Sequence, residues 1–127
     1  MTRERDPRIA RSREELEAAR VLVDGGFHAQ AVSRAYYAAF YAAGEALLVI
    51  GETRSKHSGV IAAFASLVVK SGDVDENVGR ILRSLFDQRS VADYGDVSVS
   101  SEQAEIALED ASTVVAAVER WLAGRSS

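Results

Sequence analysis

Arg89 and Asp93 stand four residues apart, the spacing that makes two side chains neighbours on one face of an α-helix. The apolar stripe Val78, Leu82, Leu85 and Phe86 runs in register onto them, so two opposite charges occupy positions where the pattern calls for leucine. Charge at such positions is costly unless the stripe has left the core. The pair therefore reads as a cleft, a subunit interface, or an ion pair that closes the end of a bundle. Tyr94 follows directly and Gly95 ends the pattern. A second unusual surface surrounds Arg34. Phe27, Gln30, Arg34, Tyr37, Tyr41, Glu45 and Leu48 share a helical sector roughly 100° wide, opposite an apolar stripe of Val32, Tyr36, Ala39, Phe40, Ala43 and Leu47. Tyrosines at this spacing are first of all packing residues. The same set can also face a ligand, with rings stacked on bases and Arg34 on a phosphate. A helix flanked by neighbours on both sides would bury both surfaces, and Arg34 and Glu45 would then need partners.

The rest of the inventory narrows the chemistry. The 127 residues include no cysteine, one proline and two histidines, His28 and His57. That excludes a disulfide scaffold, a thiolate zinc site, a catalytic thiol and a histidine-rich metal cage. The Glu-x-x-His pair of helical di-iron sites is missing as well. No metal and no cofactor is expected. His57 has the ordinary pKa, about 6.5, of a group that shuttles protons at neutral pH. A single histidine at a helix start is nonetheless more often structural.

Composition is that of one globular domain spanning residues 1–127, with a core at about 10–123 and frayed ends at 1–10 and 124–127. The chain is 47% hydrophobic and 27% charged, with a net charge of −4, which argues against strong sequence-independent binding to nucleic acid, and DNA is not expected as a partner. The charge is uneven. Arg3, Arg5, Arg8, Arg11 and Arg13 crowd the start against Glu4 and Asp6, which reads as a solvated terminus before it reads as an RNA-contacting arm. From Asp93 to Glu119 the charged residues are all acidic. The longest apolar stretch, Ala35 to Ile50, is interrupted by Glu45 and is shorter than the ~20 residues that cross a bilayer. With a charged start that lacks the apolar segment of a signal peptide, the expectation is a cytoplasmic protein that does not engage a membrane.

The elements that must position these residues are helices throughout. Ser12 with Glu15 has capping-box spacing ahead of Leu16, Ala19, Leu22 and Val23, and Asp24-Gly25-Gly26 stops that helix. The second helix spans about Phe27 to Ile50. Ser55 opens a third, through Val60, Ile61, Phe64, Leu67 and Val68, ending near Ser71-Gly72. Asp73 with Glu76 opens a fourth. Ser100 with Gln103 opens a fifth, whose core face is Leu108, Ala111, Val115, Val118 and Leu122. Val97 to Ser100 alternates for too short a stretch to be a strand. Short connections make neighbours antiparallel. The fold class is all-α, an up-and-down four-helix bundle with an additional helix.

Three blocks of this chain resemble the HEPN family (higher eukaryotes and prokaryotes nucleotide-binding domain) in its small stand-alone prokaryotic type. They are the run from Ala31 to Ala43, Ser55-Lys56-His57-Ser58-Gly59-Val60, and Arg89-Ser90-Val91-Ala92-Asp93-Tyr94, in the family's order and spacing over about residues 10–123. The resemblance implies a small intracellular protein, commonly a homodimer, often paired with a minimal nucleotidyltransferase in a toxin–antitoxin-type system. Many members are metal-independent endoribonucleases that use an arginine followed, after four to six intervening residues, by a histidine. Arginine would steady the phosphate while histidine moves a proton during attack by the ribose 2′-hydroxyl. Arg89 matches the arginine, and Tyr94 takes the first histidine position. A phenol with a pKa near 10 is a poor base at neutral pH. Asp93, held by Arg89, is weakened as one.

The resemblance thus implies an RNA- or nucleotide-binding partner module. Arg89, Asp93 and Tyr94 are the candidate catalytic residues, and Arg34, Tyr37, Tyr41 and His57 the candidate ligand contacts. Some family pairs modify a tyrosine near the motif, a role for which Tyr94 is the candidate by type. Two alternatives stand beside this reading: an active ribonuclease in which Asp93, Tyr94 or His57 replaces the missing histidine, and a purely structural dimerisation bundle.

Overall fold

The structure, a computed structural model, describes residues 7–72, 74–94 and 98–125. Helix α1 spans Pro7–Asp24, α2 His28–Val49, α3 His57–Ala63 with a wider-wound π segment at Phe64–Val69, α4 Glu76–Tyr94 and α5 Ser101–Arg125. No strand is present among the described residues. Helices α1, α2, α4 and α5 form the up-and-down bundle, and the α3 segment is the additional helix. Helix α2 packs against every other helix. Alanine lets it do so: Ala31, Ala35, Ala38, Ala39, Ala42, Ala43 and Ala46 are buried on α2 and Ala104, Ala107 and Ala111 on α5. Small side chains let helix axes approach closely, and alanine costs nothing in helix propensity. Both faces of α2 are thereby covered.

Several helix ends follow the chemistry of their residues. After α1, Gly26 has φ +86°, and the Phe27 N–H donates to the Leu22 carbonyl, a Schellman closure; Gly51, at φ +80°, closes α2 likewise through Glu52 N–H and Leu47. Ser100 and Gln103 form a reciprocal capping box: the Ser100 N–H donates to Gln103 Oε1 at 2.8 Å and the Gln103 N–H to Ser100 Oγ at 3.1 Å. The whole expected α5 core face is buried, together with Val114 and Trp121.

Two helix starts and the register of the α3 segment differ from expectation. Ser12 does not cap: α1 already begins at Pro7, and Ser12 Oγ donates to the Arg8 carbonyl one turn back. The α3 helix starts after Lys56 rather than Ser55. Asp73 lies outside the described residues, and Asp75 is the acceptor at the start of α4, taking the Asn77 N–H at 2.8 Å. The π segment shifts the α3 register as well. Its wider turns advance less than 100° per residue, so Leu67 is 40% exposed while Val69 enters the core.

Candidate functional site

Tyr36, Tyr37, Phe40 and Tyr41 on α2 form one aromatic cluster with His57 at the start of α3 and Phe86 on α4. Ring centroids are 5.1 Å apart for Tyr36–Tyr37 and 4.1 Å for the stacked Phe40–His57 pair. Arginines lie on the cluster from several sides. Arg34 sits 5.1 Å and Arg89 5.4 Å from the Tyr37 centroid, and Arg11 5.2 Å from that of Tyr41.

Arg89 and Asp93 meet as their spacing requires, with Nε 2.8 Å from Oδ2. The buried Nε–H does not point along that contact, which is an ion pair rather than an aligned hydrogen bond. Arg89 Nη2 donates to the Tyr37 hydroxyl at 3.0 Å. Its side chain keeps 20% exposure, so the guanidinium is oriented but reachable. Tyr94 stands apart from this pair. It is 81% exposed at the end of α4, on no partner in the bundle.

Arg34 finds its counter-charge on α1. Its Nη1 contacts Glu15 Oε1 at 3.2 Å and Oε2 at 3.1 Å, and Arg11 Nε approaches the same carboxylate at 3.4 Å. Glu15 is 5% exposed, buried between the two arginines, and Glu45 is buried too. Sequence reasoning read Glu15 as part of a cap and missed this role. The signal was present: Ser12, Glu15, Leu16 and Ala19 share one helical face, so a carboxylate stands on the core stripe.

His57 does reach the neighbourhood of Arg89, through two tyrosines. Its ring is 5.8 Å from that of Tyr37, and its Nδ1 is 2.8 Å from the Tyr36 hydroxyl. Burial first, then Tyr37, pushes the Tyr36 phenol above the usual tyrosine range against the pull of Arg89. It stays protonated and can donate to Nδ1 or accept from it, according to the imidazole tautomer. Burial, and after it the Arg89 charge, holds His57 below its ordinary pKa. A neutral imidazole that accepts at Nδ1 carries its proton at Nε2, where it is a donor suited to an anion; the other tautomer has a lone pair at Nε2.

The candidate residues divide between two grooves rather than lining one. Arg34 and Asp93 border a groove of ≈ 460 Å³ with Gln30 and Ser33. Tyr41 and His57 border another, of ≈ 500 Å³, with Phe40, Arg8, Arg11 and Arg54. Tyr37 lies between, bonded to Arg89 on one side and 5.9 Å from the Tyr41 ring on the other. Among the described residues no cluster of histidine and carboxylate groups is arranged to hold a metal, and no helix is long and apolar enough to cross a membrane.

Known proteins share this arrangement of helices. The HEPN domain family model matches residues 7–121. A UPF0332 protein of Thermotoga maritima is 40% identical over 93 residues, which cover 73% of this chain and 70% of that protein. A Methanocaldococcus jannaschii protein named "Putative toxin MJ0605" is 35% identical over 109 residues, 86% of this chain and 81% of its own. The crystal structure of TT1696 from Thermus thermophilus has the same fold. It superposes at a TM-score of 0.77 and 22% identity, covering 90% of this chain and 94% of that one. With three sequence blocks, the bundle and a match over nearly its whole length in agreement, the chain belongs to the HEPN domain family.

Proposed function

We propose that this chain is a toxin-like HEPN module that binds RNA or a nucleotide as a homodimer in the cytoplasm and is the partner of a minimal nucleotidyltransferase. The observation that carries the reading is the state of Arg89. Its guanidinium is oriented by Asp93 and Tyr37 yet still partly exposed, and the nearby histidine, in the tautomer that accepts from Tyr36, offers a hydrogen rather than a lone pair. An oriented cation beside donors holds a phosphate. It lacks the base that in-line attack by a 2′-hydroxyl needs. Val91 and Tyr94 are 51% and 81% exposed at the end of α4, which supports a second subunit or a partner covering that end. Tyr94 is accessible there for modification by a transferase.

Purified protein is incubated with bulk RNA in EDTA, beside Arg89→Ala and Tyr94→Phe proteins prepared identically. Intact RNA in every lane is expected, with retention of a labelled RNA by the parent protein and weaker retention by Arg89→Ala. Cleavage that disappears in Arg89→Ala would replace this reading with a ribonuclease.

That second reading has one observation in its favour, the closeness of His57 to the tyrosine that Arg89 holds. It requires the opposite tautomer, with Nδ1–H directed at Tyr36 and Nε2 free to accept the 2′-hydroxyl proton. Activity in EDTA would then vanish in His57→Ala as well as in Arg89→Ala.

A further inference from the structure

Four glycines lie inside helices without a positive φ, and two of them, Gly44 and Gly59, face an arginine. Gly44 in α2 and Gly59 in α3 have none of the positive φ seen at Gly26, Gly51 and Gly72, and a glycine within a helix costs stability relative to alanine. Each makes room for an arginine. A Cβ on Gly44 would stand 2.8 Å from Arg8 Nη1, and one on Gly59 would press to 3.3 Å on Arg54 Cβ. Both arginines line the ≈ 500 Å³ groove, together with Arg11, His57, Phe40 and Tyr41, and among the described residues no carboxylate lines it.

Arg54 and Arg11 are each gripped by an acid from one side. Glu52 takes Arg54 Nη1 at 2.8 Å, and the Thr53 carbonyl takes the same nitrogen at 2.7 Å, leaving Nη2 for a ligand. Glu15 meets Arg11 at Nε and leaves both terminal nitrogens. Held in this way, the guanidiniums present their outer donors already oriented, which lowers the entropy lost on binding. In the tautomer that accepts from Tyr36, the Nε2–H of His57 adds a further donor, and the rings of Tyr41 and Phe40 supply apolar surface beside the charge.

We infer that this groove, between the start of α1, the end of α2 and the start of α3, binds the phosphodiester backbone of single-stranded RNA, as a site separate from the Arg89 cluster. Arg8, Arg11 and Arg54 hold phosphates, His57 donates to one, and a base stacks against Tyr41. The inference rests on the RNA-binding reading above and assigns its main contact surface to residues outside the Arg89–Asp93 pair. A chain of net charge −4 can still present a local positive field, because Arg8, Arg11 and Arg54, three of its fifteen basic residues, border one groove.

The test is fluorescence anisotropy of the full chain with a labelled single-stranded RNA of about ten nucleotides between roughly 50 and 200 mM salt. Arg8→Ala and Arg54→Ala should each weaken binding by roughly tenfold and flatten the salt dependence by about 0.7 in slope. Gly44→Ala should weaken binding while the thermal midpoint holds or rises, because the added methyl displaces only the flexible end of the Arg8 side chain. Groove variants that bind like the parent while Arg89→Ala binds weakly would overturn the groove and leave the RNA reading standing. A parent protein that binds no RNA would overturn both. Competition by polyglutamate as effective as by unlabelled RNA would assign the groove to an acidic protein instead.

Discussion

The Arg89 cluster and the Arg8–Arg11–Arg54 groove are built from the same residue types and treat charge in opposite ways. Arg89 is four-fifths covered, contacted by Asp93 and Tyr37 and lying over two aromatic rings. Its charge belongs to the packing of α4 on α2. Arg11 and Arg54 are 56% and 39% exposed, each gripped by one acid on one side. Their charge is displayed. An arginine bound into the bundle contributes to stability and geometry, while one held at its edge contributes mainly to what the protein attracts. The difference decides which substitutions should unfold the chain and which should only silence it.

The largest expected effect is at Arg89. Arg89→Ala removes the ion pair, the hydrogen bond to Tyr37 and the stacking together, and should cost about 2–3 kcal/mol in chemical denaturation, whereas Arg54→Ala should stay within about 0.5 kcal/mol. Equal losses would erase the distinction between the two regions. Glu15→Gln comes next, at about 1–2 kcal/mol, because a buried carboxylate between Arg11 and Arg34 loses its charge-assisted contacts. If its thermal midpoint matches the parent's, Glu15 is not the counter-charge described.

A smaller effect concerns pH. The folded state holds His57 below its ordinary pKa, so the unfolded chain binds more protons in the interval between the two values. This contribution is fully present above about pH 6.5, the unfolded value, and is lost as pH falls through the folded one. The thermal midpoint should therefore drop between about pH 7 and 5, and His57→Gln should shallow that drop; an unchanged profile would detach His57 from the Tyr36–Arg89 network. Another small effect on stability is at Gly59. Gly59→Ala should change stability by less than about 1 kcal/mol, helix propensity gained offsetting the pressure on Arg54. A larger loss, measured by denaturant titration, would mean that Arg54 is packed as firmly as Arg89.

Much of this division was hidden in the sequence. Arg89 and Asp93 declared themselves by breaking an apolar stripe at a spacing of four, and the structure joins them. Tyr94, next in the chain, is separated from them, because one residue along a helix is a rotation of about 100°. The tyrosine-bearing side of α2 announced that it was neither core nor solvent face. Its partners were not announced, since Glu15 and Arg89 reach it from elements 19 and 52 residues away. Arg8 was read within an arginine-rich, solvated start and Arg54 drew no notice, for an exposed arginine at a terminus or in a connection looks the same whether or not it borders a groove. Gly44 and Gly59 carried part of the signal, though Gly79 and Gly124 are helical glycines too and neither faces an arginine.

Helical period, capping boxes and glycine stops are local properties, carried by residues within a turn or two of each other, and they determined the all-α class and most helix limits before any packing was considered. The π segment after Ala63 was beyond them, because the register of α3 depends on how that helix settles against α2 and α4. Which charges are neutralised and which are displayed was likewise a tertiary decision. The energy of a guanidinium depends on the acids, rings and water within a few ångströms of it. Those neighbours come from separate helices that only the folded bundle brings together.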